Sequence, residues 1–134
     1  HTNMFCQMVL FQNLQDNALD EHIARTSALY KQKAEFMLSC IDKYFPEGVS
    51  CTRPQGGMFM WITLPDGIKG VDVQYAALDR GVAVTAGDPF YEYERDVPTI
   101  RLNFSNGSDE YVEKGIRILG EVISEFVTKN TEKG

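Results

Sequence analysis

Histidine is scarce in this sequence: His1 and His22 are the only two, too far apart to suggest a metal cluster or a histidine-activated nucleophile. Cysteine is sparse as well. Cys6, Cys40 and Cys51 are odd in number and include no C-x-x-C pair, which argues against a disulfide framework and fits a reducing, cytoplasmic setting. No apolar run approaches the roughly 18 residues that a membrane-crossing helix needs. Basic residues are outnumbered 13 to 19, giving a net charge of −6 and a pI near 4.8. That balance opposes attraction to phosphate backbones and anionic lipid, so neither nucleic acid nor membrane is expected as a partner. P-loop, G-x-G-x-x-G, H-E-x-x-H and G-x-S-x-G signatures are all missing. An initiator methionine is missing too: the chain opens HTNMFC without a signal-peptide pattern, and an excised piece of a longer protein is expected.

What is present describes one globular unit. The 134 residues are enough to bury roughly 65 to 70% of the unfolded surface, and 43% hydrophobic with 24% charged content is ordinary for such a domain. No repeat, low-complexity stretch or interior linker divides the chain, so residues 1–134 are expected to form a single domain. Within it, 1–45 reads as a helical segment, 46–127 as a sheet-and-helix core and 128–134 as a solvated tail.

Met4, Met8, Phe11 and Leu14 fall near helical spacing. From about Asn17 to Phe45, Leu19, Ile23, Tyr30, Ala34, Met37, Ile41 and Phe45 recur at intervals of three, four or seven, until Pro46 and Gly48 stop the pattern. A straight helix of that length spans roughly 43 Å, whereas a compact domain of this size is roughly 36 Å across. Either the helix bends or its first half packs on something outside the domain.

VSCTRP is expected to be extended, and MFMWITLP, apolar on both faces, reads as a central strand covered on both sides. Asp72 is placed to cap a helix over 73–80, closed by Gly81 in the left-handed conformation. VAVTAG and TIRLNFS are two further strands, and Ser108 caps a final helix whose stripe of Val112, Ile116, Leu119, Ile123 and Val127 faces the core. The expected fold class is α/β, an α+β sandwich: a small, mostly antiparallel sheet of about four strands covered by helices, with a long N-terminal helix.

The sharpest chemical feature is Arg101. Ile100, Leu102 and Phe104 alternate with Thr99, Arg101, Asn103 and Ser105, so a guanidinium sits among small polar groups on one face of a strand. This planar fork matches a carboxylate through two parallel hydrogen bonds and keeps its charge when desolvated. By pattern alone a wet strand face carrying a surface arginine is the more frequent case. QGGMFMW, 55–61, could let a ligand or backbone approach its glycines, but paired glycines at a strand's start are more often a turn. AGDPFYEY, 86–93, is an aromatic, acidic loop of a kind that supplies binding groups, or else packs on its own domain. The acid pairs Asp109/Glu110 and Glu92/Glu94 sit where solvated faces are expected, and no catalytic role is assigned to them.

Taken in order, HTN, LYKQKAEFML, RPQGGMFMWITLPDG, GVAVTAGDPFY, IRLNFS and VEKGIRIL resemble the C-terminal small domain of a class I/II aminotransferase, a pyridoxal 5'-phosphate (PLP) enzyme of fold type I. The likeness extends from about His1 to Phe126 and is greatest to the branch acting on aromatic, branched or 2-aminoadipate-type amino acids. It implies that Arg101, within RLNFS, binds the substrate α-carboxylate, and that the long helix joins the chain's own N-terminal large domain. The substrates implied are an amino acid and a 2-oxo acid, and the intact enzyme is implied to be a homodimer.

The resemblance also implies that the Schiff-base lysine, the aspartate facing the pyridine nitrogen and the phosphate-binding residues lie upstream of His1. Lys31, Lys33, Lys43, Lys69, Lys114, Lys129 and Lys133 all have polar or turn surroundings unsuited to a neutral amine. Hence no catalytic, cofactor-binding or metal-binding residue is assigned within this chain, and alone it is expected neither to hold PLP nor to transaminate. The sequence departs from the family at Ala86, where proline is usual. Two other readings stand beside this one: the aminotransferase-like effector half of a PLP-sensing transcription regulator, and a free-standing module that binds amino acids.

Overall fold

The structure, a computed structural model, describes residues 3–16, 19–93 and 95–131. The expected helix start at Asn17, the acid Glu94, the tail lysine Lys133 and His1 lie outside the described residues. In chain order the elements are α1 (Met4–Asp16), α2 (Leu19–Tyr44), β1 (Ser50–Cys51), β2 (Phe59–Thr63), α3 (Gly70–Asp79), β3 (Thr85–Ala86), a single 3₁₀ turn (Asp88–Phe90), β4 (Thr99–Asn103) and α4 (Asp109–Thr131). Four helices and a four-stranded sheet of order β1-β2-β4-β3, antiparallel at every pairing, make the mixed α/β fold that the pattern implies.

The sheet has one covered and one open face. Met60 and Ile62 of β2 and Ile100 and Leu102 of β4 point into a core shared with Met37 and Ile41 of α2, Val73 and Ala77 of α3, and Ile116, Leu119 and Ile123 of α4. Complete burial of such a side chain contributes roughly 1.5–3 kcal/mol, so this layer holds the sheet to its helices. The expectation that β2 is covered on both sides is corrected: Met60 and Ile62 are buried on one face, whereas on the other Phe59 is exposed and Trp61 half-buried.

Close helix packing is set by one glycine. A methyl group on Gly120 would overlap the carbonyl oxygen of Tyr44, so the absence of a side chain there lets α4 meet the end of α2. Ser108 caps α4 through its Oγ, which accepts the Tyr111 N–H at 3.4 Å, and Asp109 and Glu110 occupy the positive first turn. The helix continues to Thr131, past residue 128 where a tail was expected.

Gly81 takes φ +79 after α3, as its position predicts. The expected start of α3 is corrected. It begins at Gly70, and Asp72 lies within the first turn rather than at the cap. The Gly70 N–H donates to the Val97 carbonyl at 2.8 Å, and Gly70 packs against the Thr99 carbonyl, so β4's approach sets this end.

In α2 the buried residues are Ala34, Met37, Cys40 and Ile41, all in its second half, while Leu19, Ile23 and Leu29 are exposed. The first half of the helix therefore supplies no buried residue to the core. Residues 3–15 are exposed as well, including Met4, Phe5, Met8, Leu10 and Phe11 of α1. An apolar helix with every side in solvent is unusual in a finished protein surface.

Candidate functional site

Register places Arg101 at the centre of the open face. Its cross-strand partners are Trp61 of β2 and Thr85 of β3, so the three side chains form one row across the sheet. Thr99 and Asn103 flank it along β4, and Phe59 lies opposite Asn103. Alternation dictates this outcome: the buried Ile100 and Leu102 fix the other face to the core, leaving Arg101 no alternative side.

Two rings meet the guanidinium. Its Cζ lies over the Phe59 ring at 4.0 Å from the centroid and over the Phe90 ring at 4.6 Å. Phe90 also meets Trp61 edge-to-face, with centroids 5.2 Å apart. Among the described residues, no carboxylate forms an ion pair with Arg101. The group is half-buried and positively charged, and its neighbours are aromatic rings rather than acids. Such a cation can accept an anion in plane with its N–H fork.

The loop that brings Phe90 over the sheet is anchored at its start to α3 and β4 and at its end to Lys69, the residue that precedes α3. At its start the Ala86 N–H donates to Gln74 Oε1 at 2.5 Å, and the Gly87 N–H to the Thr99 carbonyl at 2.8 Å. At its end Lys69 Nζ donates to Asp96 Oδ2 at 2.8 Å, and the Asp96 N–H donates to Asp88 Oδ1 at 2.6 Å. Asp96 adopts φ 57, a left-handed conformation that aspartate tolerates better than most residues. A side chain on Gly87 would strike the Thr99 hydroxyl, so the loop leaves β3 by passing closely over β4.

The paired glycines read as a turn are one. Gly57, at φ +77, leads into β2, and a side chain there would meet nothing within 4 Å. Between this turn and α2 lies a cavity of about 690 Å³, lined in part by Tyr30, Leu38, Phe104, Lys31 and Arg53. Arg101 does not line it, and its cations already have acidic partners: Arg53 with Asp42 at 3.6 Å and Lys31 with Glu35 at 3.9 Å.

The lysines do not fit a cofactor-bearing amine. Lys31, Lys43, Lys69, Lys114 and Lys129 are exposed, and Lys33 donates to the Gly107 carbonyl at 2.9 Å. Hydrogen bonds to Tyr44 and Glu113 push Lys43 up from its ordinary value, and one to Asp96 pushes Lys69 up. A nucleophilic amine needs the opposite shift. Among the described residues, no group of three or more His, Cys, Asp or Glu could hold a metal ion, and no helix is long and apolar enough to cross a membrane.

Arg101 is legible in the sequence as part of a polar strand face, whereas Phe90 is one ring among several in an aromatic loop. The aromatic character of 86–93 was the one signal for it; nothing in the pattern indicated which ring would reach the guanidinium.

Residues 4–119 match the family model for aminotransferase class I and II. The aromatic-amino-acid aminotransferase 1 of Thermococcus litoralis is 36% identical over 96% of this chain and 31% of its own length. The crystal structure of a multiple substrate aminotransferase from Thermococcus profundus superposes with a TM-score of 0.88 at 37% identity, over 96% of this chain and 32% of that one. The α-aminoadipate aminotransferase LysN of Thermus thermophilus, complexed with N-(5'-phosphopyridoxyl)-L-leucine, superposes with a TM-score of 0.86 at 33% identity, over 96% and 33%. A more distant relative, the HTH-type transcriptional regulator NorG of Staphylococcus aureus, is 25% identical over 86% of this chain and 26% of its own. The chain thus spans about a third of the length of these aminotransferases, and it belongs to the class I and II aminotransferase family.

Proposed function

We propose that this chain is the C-terminal small domain of a PLP-dependent aminotransferase, which moves an amino group from an amino acid to a 2-oxo acid, and that Arg101 binds the substrate's α-carboxylate. The observation that carries this reading is an arginine on the open sheet face with aromatic neighbours and no acidic partner among the described residues. A bidentate pair with the carboxylate would fix two points of the substrate and so orient its amine, an entropic contribution made before any bond changes. That is the whole chemical task assigned to this chain.

The cofactor, its lysine and the phosphate-binding groups are assigned to a large domain outside this chain, in line with the paired or exposed state of the lysines described here. The bare apolar surface of α1 and the overhanging half of α2 offer that domain a surface to cover. The intact protein is read as a homodimer.

Replacing Arg101 with alanine in the intact enzyme should raise KM and lower kcat/KM by about two to four orders of magnitude, as breaking one charged recognition pair of ~3–5 kcal/mol does. Unchanged kinetics would remove the role given to it. The likeness to NorG keeps a second reading in view, a regulator's effector domain. A winged-helix segment upstream and an absence of turnover in the intact protein would favour that reading over a transaminase.

A further inference from the structure

The geometry points to Phe90 as a positioning residue for Arg101: its ring steadies the guanidinium without occupying any of the cation's N–H donors, leaving the whole fork for a carboxylate. This inference rests on the carboxylate-binding reading of Arg101 and extends it to a second residue.

An arginine side chain has several rotatable bonds, and holding one conformation requires a neighbour that attracts it. A local acid would do so, but its oxygens would fill the donors that a substrate needs, and each substrate would have to displace it. An aromatic face attracts the cation through its quadrupole and accepts none of the in-plane hydrogen bonds in doing so. Phe59 and Phe90 provide two such faces, at 4.0 and 4.6 Å.

The two rings are held differently. Phe59 belongs to β2 and is placed by the same register that places Arg101. Phe90 stands on a 3₁₀ turn outside the sheet, where its position depends on the anchors to Gln74 and Lys69 and on the edge-to-face contact with Trp61. It is 47% exposed and lies outside the core cluster, so contact with Arg101 and Trp61, not core packing, accounts for its place. The ring is thus an adjustable support for a group whose root is rigid.

The test is steady-state kinetics on the full-length enzyme with F90L, which keeps apolar bulk and removes the ring, and F90Y, which keeps the ring. F90L should raise KM for the amino-acid donor about 3- to 30-fold, the range spanned by one cation–π contact, with a smaller change in kcat. F90Y should restore the wild-type KM. In an R101A background F90L should cost nothing further, since the two residues act through one contact. If F90L is silent while R101A is impaired, or if its penalty is the same with and without Arg101, the positioning role is wrong and the carboxylate reading survives. If R101A is itself silent, the carboxylate reading falls, and this inference with it. Circular dichroism and the thermal midpoint check folding, and F90M serves as a second ringless variant should F90L fail that check.

Discussion

The backbone N–H of Ala86 donates to the side-chain oxygen of Gln74, tying the edge strand β3 to helix α3 at 2.5 Å. Proline, which has no backbone N–H, could not make this bond. Ala86→Pro should therefore leave Gln74 Oε1 part-buried and unsatisfied, lowering stability by about 1–3 kcal/mol in equilibrium denaturation. Pairing it with Gln74→Leu should recover part of the loss. Equal stability of Ala86→Pro and wild type would show that the bond contributes nothing.

Gly120→Ala is expected to be far more damaging than a helix-interior alanine normally is. Alanine favours helices over glycine by roughly 1 kcal/mol, yet here its methyl would overlap the Tyr44 carbonyl. Forcing α2 and α4 apart should outweigh that gain and give a net loss of ~1–3 kcal/mol in chemical unfolding. Gly115→Ala on the same helix, where a side chain meets nothing within 4 Å, is the control and should be neutral or stabilising.

Glu113 should shape the acid limb of the stability curve. A hydrogen bond from Tyr44 Oη at 2.6 Å, followed by one from Lys43 Nζ at 3.0 Å, holds its carboxyl below the ordinary value of 4.5. The unfolded chain then takes up this proton at a higher pH than the folded one, so stability rises with pH across the interval between the two values. The contribution is complete above about pH 4.5 and is lost as pH falls through the lowered folded value. Urea midpoints from pH 7 to pH 3 should fall less steeply at the acid end in Glu113→Gln; parallel curves would count against this linkage.

Thiol reactivity should separate the three cysteines. Burial pushes Cys40 and Cys51 up, away from thiolate formation, whereas Cys6 lies exposed on α1. Brief alkylation of the 134-residue chain by itself near neutral pH, read by peptide mass, should mark Cys6 first. Comparable early labelling of Cys40 would mean that α2 and α4 separate readily.

Much of the fold was legible because its elements follow period rules. The stripe from Val112 to Val127 specified α4, and alternation through Ile100, Leu102 and Phe104 specified which face of β4 turns inward. What the pattern hid was set by tertiary contact. The start of α3 depends on Val97 and Thr99, nearly 30 residues away in the chain. Phe59 and Trp61 read as core because apolar residues usually are, yet they line an uncovered surface beside Arg101. For the site, the position of the guanidinium was readable, while its ring contacts depend on a loop that no periodicity describes.

The single row formed by Trp61, Arg101 and Thr85 has a consequence for how this sequence can change in length. Inserting or deleting one residue within 99–103 would exchange inside for outside over the part of β4 on one side of the change, setting polar side chains against the core or isoleucine and leucine against water. Indels are therefore expected to accumulate at 105–107, where the chain turns in solvent, while the five positions of β4 keep their count.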